Sequence, residues 1–287
     1  MPTVVPGILA DQVKAVSNTA LPASLATYAQ MWAVGVKGPL YDIYFVETLG
    51  GPRTICFMKL YFRFVAGKSE TWTSQQEMVG FATRWQADIQ NKFNMKSLTT
   101  TSSGRIVGLE FHFGSGLYSW EPGDHWTIDV VKVPKGQFYT SNVEHAHGNI
   151  VGRTTLFSND LGPITRQADN KSYKQRPAIH EFVHMIGLPD EYEEKCDANG
   201  MRADGFKCSG KPRDPRYVKD YPSVANLGER IRFDHLDAIR NWTKLVAPLS
   251  PVEKDRPSLK GITDALAFLK GVPGNDDKTP VMLAKLR

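Results

Sequence analysis

The chain has 287 residues, enough for one large domain or two small ones, and an apolar share of 41% supports a sizeable core. Its net charge of +5 is mild and spread in short groups such as Lys171 to Arg176 and Lys211 to Arg216, with acids nearby. That pattern reads as solvated surface and argues against a nucleic-acid groove, and no apolar run approaches the length of a membrane span.

Residues 1 to 38 are a mixed N-terminal segment in which Asp11 to Val16 and Ala23 to Trp32 are expected as short helices. Tyr41 to Val46 is rich in aromatic and β-branched residues and predicts a strand. Gly50-Gly51-Pro52 reads as a turn, and Ile55 to Val65 as a long strand pairing with the first, its Lys59 and Arg63 marking a wet face. Cys56 within it is expected to be a small buried hydrophobe. Ser74 to Asn94 carries a capping box, Ser74 with Glu77, and an apolar stripe of Met78, Phe81, Ala82, Trp85, Ile89 and Phe93 at helical spacing. Arg105 to Phe113 and His125 to Val133 predict two more strands, with a loop from Gly114 to Gly123 between them. His145 and His147 follow in a polar stretch, as two polar loop residues or else binding a second metal or lining the cleft.

The most informative run is Ala178 to Tyr192, which contains His180-Glu181-Phe182-Val183-His184, an H-E-x-x-H motif. On a helix, positions i and i+4 share a face, so two imidazoles one turn apart can bind one metal ion. The Glu next to the first His is placed to take a proton from the water that such an ion holds. Pro177 suits the first helical turn, Gly187 its end, and Pro189 forbids continuation. A turn there brings Asp190 and Glu191 back toward the metal. A catalytic zinc needs three protein ligands and an open position. The residues offer four candidates for the third: Asp190, Glu191, Glu229 and His235.

After the motif, Glu193 to Pro222 is a long charged loop of the kind that walls a cleft. Cys196 and Cys208 bracket part of it, either as a disulfide or as two free thiols. Ser223 to Gly228 is a turn, Ile231 to Ala247 a second helix with Phe233, Leu236, Ile239, Trp242 and Leu245 on one side, and Leu259 to Leu269 a short helix in the tail.

His180 to Asp190 reads H-E-x-x-H-x-x-G-x-x-D and resembles the metzincin motif, with Asp in place of the usual third His, as in the snapalysin-like branch. That resemblance implies Asp190 as the third ligand. It also implies a Met-turn, for which the best match is Ser223-Val224-Ala225-Asn226, where Ala225 stands in the place of Met. Residues 175 to 240 are also similar to the metallopeptidase toxin domains of bacterial polymorphic toxins and type VI secretion spike proteins. There a downstream Glu is the third ligand, which implies Glu229, with the Asp-Glu-Tyr run orienting a His N–H. Both alternatives stand at this stage.

Together these resemblances imply an α+β, zincin-like fold with a mixed sheet, an active-site helix and a second C-terminal helix. A zinc metallopeptidase domain is expected over residues 39–250, ahead of a tail at 251–287. The implied activity is zinc-dependent endopeptidase chemistry on a protein or peptide, with Glu181 as general base and Tyr192 and His235 as candidate donors to the oxyanion. A housekeeping zinc peptidase and an inactive binding module of the same fold are the alternatives. Met1 to Ala20 lacks the pattern of a secretory signal. The expectation is therefore an effector exported without one, acting in a target-cell periplasm and countered by a cognate immunity protein, or else a cytoplasmic protein.

Overall fold

A computed structural model describes residues 14–15, 32–116, 124–144, 152–192, 215–250 and 252. In chain order these form strands β1 (Lys14–Ala15), β2 (Ala33–Val36), β3 (Asp42–Val46) and β4 (Arg53–Val65), helix α1 (Gln75–Phe93), and strands β5 (Met95–Thr100), β6 (Ile106–Gly116), β7 (Trp126–Val131), β8 (Asn142–Glu144), β9 (Gly152–Phe157), β10 (Ile164–Ala168) and β11 (Lys171–Gln175). Helices α2 (Pro177–Met185), α3 (Pro215–Val218) and α4 (Asp237–Val246) follow, with single 3-10 turns flanking α4.

Nine strands make one mixed sheet, and β10 and β11 a separate antiparallel ribbon. β4 is the axis of the sheet. Its first half pairs antiparallel with β3 on one edge and parallel with β6 on the other. Leu60 and Tyr61 pair with both β6 and β7, so β7 takes up the edge that β3 has left. The join is filled by His125, whose Nδ1 accepts the Lys59 N–H at 2.8 Å while its own N–H reaches the Lys59 carbonyl. Its Nε2–H is then directed at Asp42 Oδ1, 3.2 Å away on β3. Two strands laid end to end along one partner curl the sheet rather than extend it flat. β9 adds parallel to β7, and β8 closes that side antiparallel to β9.

The core lies between this sheet and the helices α1 and α2. Ser74 caps α1 by accepting the Glu77 N–H, as its capping box predicts. Phe81, Ala82, Trp85, Ile89 and Phe93 are buried, so the stripe is core. α2 packs against α1, β8 and β9. It is buried on all sides rather than on one, with Ala178, Ile179, Phe182, Val183 and Met185 each at 1% exposure or less. Phe182 sits inside a ring of Trp85, Phe93, Phe111 and Phe113, which joins the motif helix to α1 and β6.

Several expectations change. Lys14–Ala15, inside the run read as a short helix, is a strand paired with Val34 and Gly35. β2 was not anticipated; its Gly35 is required because a Cβ there would lie 2.2 Å from the Tyr44 ring. β5, β8, β9 and the β10–β11 ribbon also lie where no strand was read. The wet face of β4 covers only its second half: Thr54 to Met58 are all buried, Cys56 as a free thiol, because β4 is covered on both faces there. Phe233, expected on the apolar side of the last helix, is 61% exposed in the 3-10 turn before α4. His145, His147, Cys196, Cys208, Ala23 to Met31 and Leu259 to Leu269 lie outside the described residues. No helix among the described residues is long and apolar enough to cross a membrane.

Removing the Phe182 ring is expected to cost about 3–5 kcal/mol, since four aromatic neighbours would face the void. Urea unfolding of Phe182→Ala checks this, and a loss below about 1 kcal/mol would deny the ring its role in seating α2.

Candidate metal centre

α2 begins with Pro177 at its first position and ends in a left-handed Gly187 at φ 95°. The Leu188 N–H reaches the Val183 carbonyl at 3.0 Å and the Gly187 N–H the His184 carbonyl at 2.9 Å. These are the two bonds of a Schellman stop, and they turn the chain back over the helix. Asp190 thereby arrives beside the two histidines.

His180 Nε2 and His184 Nε2 are 3.2 Å apart, and Asp190 Oδ1 is 3.2 Å from each. The other nitrogen of each ring faces a backbone carbonyl: His180 Nδ1 lies 2.8 Å from Val224 O, and His184 Nδ1 2.6 Å from Leu188 O. A carbonyl only accepts, so each Nδ1 carries the proton and each Nε2 presents a lone pair. Asp190 Oδ1 is buried and, beyond the two Nε2 atoms, meets no polar partner among the described residues. Three acceptors therefore converge on one point, an arrangement that repels itself unless a cation is shared. With protons alone, burial pulls the His184 imidazole down, but Asp190 and Glu181 outweigh it and lift it to about 9. Burial likewise opposes ionisation of Asp190, yet the two histidines hold its carboxyl far below the usual range.

The donor set fits a metal ion. In a tetrahedral site with bonds of about 2.0–2.1 Å, ligand atoms stand about 3.3 Å apart, close to the triangle found here. His180, His184 and Asp190 could hold one ion and leave a fourth position. Their side chains keep 10%, 13% and 17% exposure, so none of the three is fully enclosed.

The turn at Ser223 to Gly228 lies against this group and offers three successive carbonyls to it. Val224 O receives His180, Ala225 O receives the Glu191 N–H at 2.9 Å, and Asn226 O receives Gln175 Nε2 at 2.7 Å. Gln175, the last residue of the ribbon, was not anticipated, and no local pattern marks it. Glu181 is buried at 7% exposure between the two histidines in sequence. The ring of Tyr192 stacks on His180 with centroids 6.4 Å apart.

Glu229 is not brought to this group. It pairs with Arg176 through both carboxylate oxygens at 2.8 and 2.9 Å, accepts the Arg176 N–H, and lies 3.5 Å from Lys92. Burial resists its ionisation, but Arg176 and Lys92 prevail and lower its pKa. It thus neutralises Arg176 at the start of α2 and Lys92 at the end of α1. Glu191 also turns away from the triangle, into Ser223, Arg232 and His235. Burial is outweighed there too, and its carboxyl is held down at about 2. His235 has both nitrogens engaged: Nδ1 accepts the Arg232 N–H and Nε2 donates to Glu191, so no N–H is left for a substrate.

A second carboxyl, Asp160, is fully buried under α2. Its Oδ2 accepts from Ser141 Oγ and the Phe157 N–H at 2.6 Å each, while Oδ1 has no partner among the described residues. Burial raises its pKa most, the Ser141 and Phe157 donors pull it down and the charge of Glu181 adds to the rise, leaving it at about 6.

No protein-family model, curated protein or solved structure matches this chain.

Two measurements follow from the site. Purified protein is expected to take up one divalent transition metal per chain, and His180→Ala and Asp190→Ala to lose it, whereas Glu229→Gln keeps it. Metal analysis showing loss in Glu229→Gln and retention in Asp190→Ala would reverse the ligand choice. For Asp160, a raised folded pKa means that the protonated form stabilises below about pH 4 and that this is lost as pH rises through about 6. The loss is on the order of 2–3 kcal/mol. Asp160→Asn, which lacks that titration, should gain on wild type between pH 4 and pH 6 in denaturant unfolding; a difference independent of pH would contradict it.

Proposed function

We propose that the chain is a zinc-dependent peptidase of the zincin kind, with His180, His184 and Asp190 as ligands. The observation that carries this reading is the triangle of three lone pairs at 3.2 Å on the turn that follows an H-E-x-x-H helix. Two imidazoles and one carboxylate suit zinc, whereas calcium and magnesium favour all-oxygen sites. When bound, zinc supplies Lewis acidity to a water and to a substrate carbonyl.

The protein's own groups do the rest. Val224 O and Leu188 O hold the two rings in the tautomer that presents Nε2. Glu181 follows the first ligand in sequence, and its carboxylate takes a proton from the attacking water. As the C–N bond breaks, the same carboxyl returns that proton to the leaving amine. Tyr192, stacked on His180, is the remaining candidate to steady the oxyanion; the engaged His235 takes a different part.

The resemblance to metallopeptidase toxin domains extends the proposal to an exported antibacterial effector with a cognate immunity protein. That extension predicts that expression in a bacterial periplasm slows growth and that Glu181→Gln does not.

For the chemistry itself, Glu181→Gln is expected to keep fold and metal while peptide hydrolysis falls about 10²- to 10⁴-fold. Assay against a quenched-fluorescence peptide library, with a chelator-treated control, measures this. Activity near wild type in the variant, or unaffected by chelator, would sink the proposal.

A further inference from the structure

Asp190 Oδ1 is buried, and apart from the Nε2 atoms of His180 and His184, 3.2 Å away, no donor among the described residues reaches it. Its place against those two rings is set by the chain on either side. Upstream, the Gly187 turn and the Leu188 hydrogen bonds fix the approach. Downstream, Glu191 is gripped by four donated hydrogens. Ser223 Oγ donates to Oε2 at 2.5 Å and Arg232 Nη1 to the same oxygen at 3.0 Å; His235 Nε2 donates to Oε1 at 3.0 Å, and Arg232 Nη2 bonds Oε1 as well. The Glu191 N–H is also tied to Ala225 O.

The grip is itself immobilised. Arg232 is 17% exposed, bonds Asp220 Oδ2 at 2.6 Å and Asp234 Oδ1 at 3.0 Å, and lies 4.0 Å over the Tyr217 ring. Ser223 belongs to the turn whose Val224 carbonyl orients His180. One turn thus bears on two of the three ligands, by a carbonyl on one and by the clamped neighbour on the other.

We propose that Glu191 is a positioning residue for the metal centre: held by Ser223, Arg232 and His235, it sets where Asp190 presents its oxygen and so tunes metal affinity. This rests on the metal-site reading above. A carboxylate that only stabilised the fold would change the melting temperature of the metal-free protein but not the affinity of the folded protein for metal. One that positions Asp190 changes that affinity, at the magnitude usual for groups supporting a ligand, about 10- to 100-fold.

The test is zinc binding to the full chain by competition with a chromophoric chelator, alongside the melting temperature of the metal-free form and the visible spectrum of the cobalt(II)-loaded form. Glu191→Gln is expected to bind zinc about 10- to 100-fold more weakly and to shift the cobalt bands. Ser223→Ala, which removes one donor, is expected to weaken zinc about three- to tenfold. Wild-type affinity in a folded Glu191→Gln overturns the inference while leaving the metal site intact. If Glu191→Gln fails to fold, wild-type affinity in Ser223→Ala overturns it equally. A wild-type chain that binds no zinc removes the metal reading and this inference together.

Discussion

Two imidazole N–H groups given to two backbone carbonyls determine the rest of the site. Once Val224 O and Leu188 O have taken the Nδ1 protons, both Nε2 lone pairs must face inward, and Asp190 adds a third. The triangle is then short of one positive charge. Without metal, that demand is met by protons, which is why His184 is lifted to about 9 despite its burial. Metal and proton compete for the same lone pairs, so binding an ion releases protons. The arrangement could hold a compact cation.

Such a site needs a stiff frame, because it gains nothing from the ligands attracting each other. α2 is buried all round, and Phe182, next to Glu181, is locked among four aromatic rings. The curl of the sheet, set by β3 and β7 sharing one edge of β4, brings β8 and β9 against the same helix. Rotamers fixed by packing would keep His180, His184 and Asp190 in place for an ion. The cost shows in Asp160 and Glu181, two carboxyls buried near one another, the first with an oxygen left without a partner.

What was legible in the chain was local. The i, i+4 pair, the Pro177 start and the Gly187 stop follow from neighbours within a turn or two, and so does the capping box at Ser74. The strands Asp42–Val46, Arg53–Val65, Ile106–Gly116 and Trp126–Val131 follow from their own apolar composition. Which acid joins the two histidines was not legible, because spacing favoured Asp190 and likeness favoured Glu229; their separation depends on Arg176 and Lys92 claiming Glu229. Gln175 reaching Asn226 and Glu191 reaching Arg232 span 51 and 41 residues, and no periodicity encodes such pairs. Short strands such as β8 and the exposed ribbon β10–β11 lack the alternation that announces a half-buried strand.

The turn at Ser223 to Gly228 shows how a site can depend on backbone more than on side-chain identity. Its contributions are the carbonyls of Val224, Ala225 and Asn226, one to His180, one to Glu191 and one to Gln175. What matters is that the loop keeps its shape, and it does so through its own bonds: Asn226 and Gly228 N–H to Ser223 O, Val224 N–H to Arg230 O, and Arg230 N–H to Pro222 O. Gly228 is fixed by the same closeness, since a Cβ there would stand 2.2 Å from Pro222 O. Ala225, at 1% exposure, fills its small space without a polar atom. A large side chain is therefore not required at that position for the turn to orient the ligands. With Ala225 in that place, the carbonyls of Val224 and Ala225 meet His180 and the Glu191 N–H.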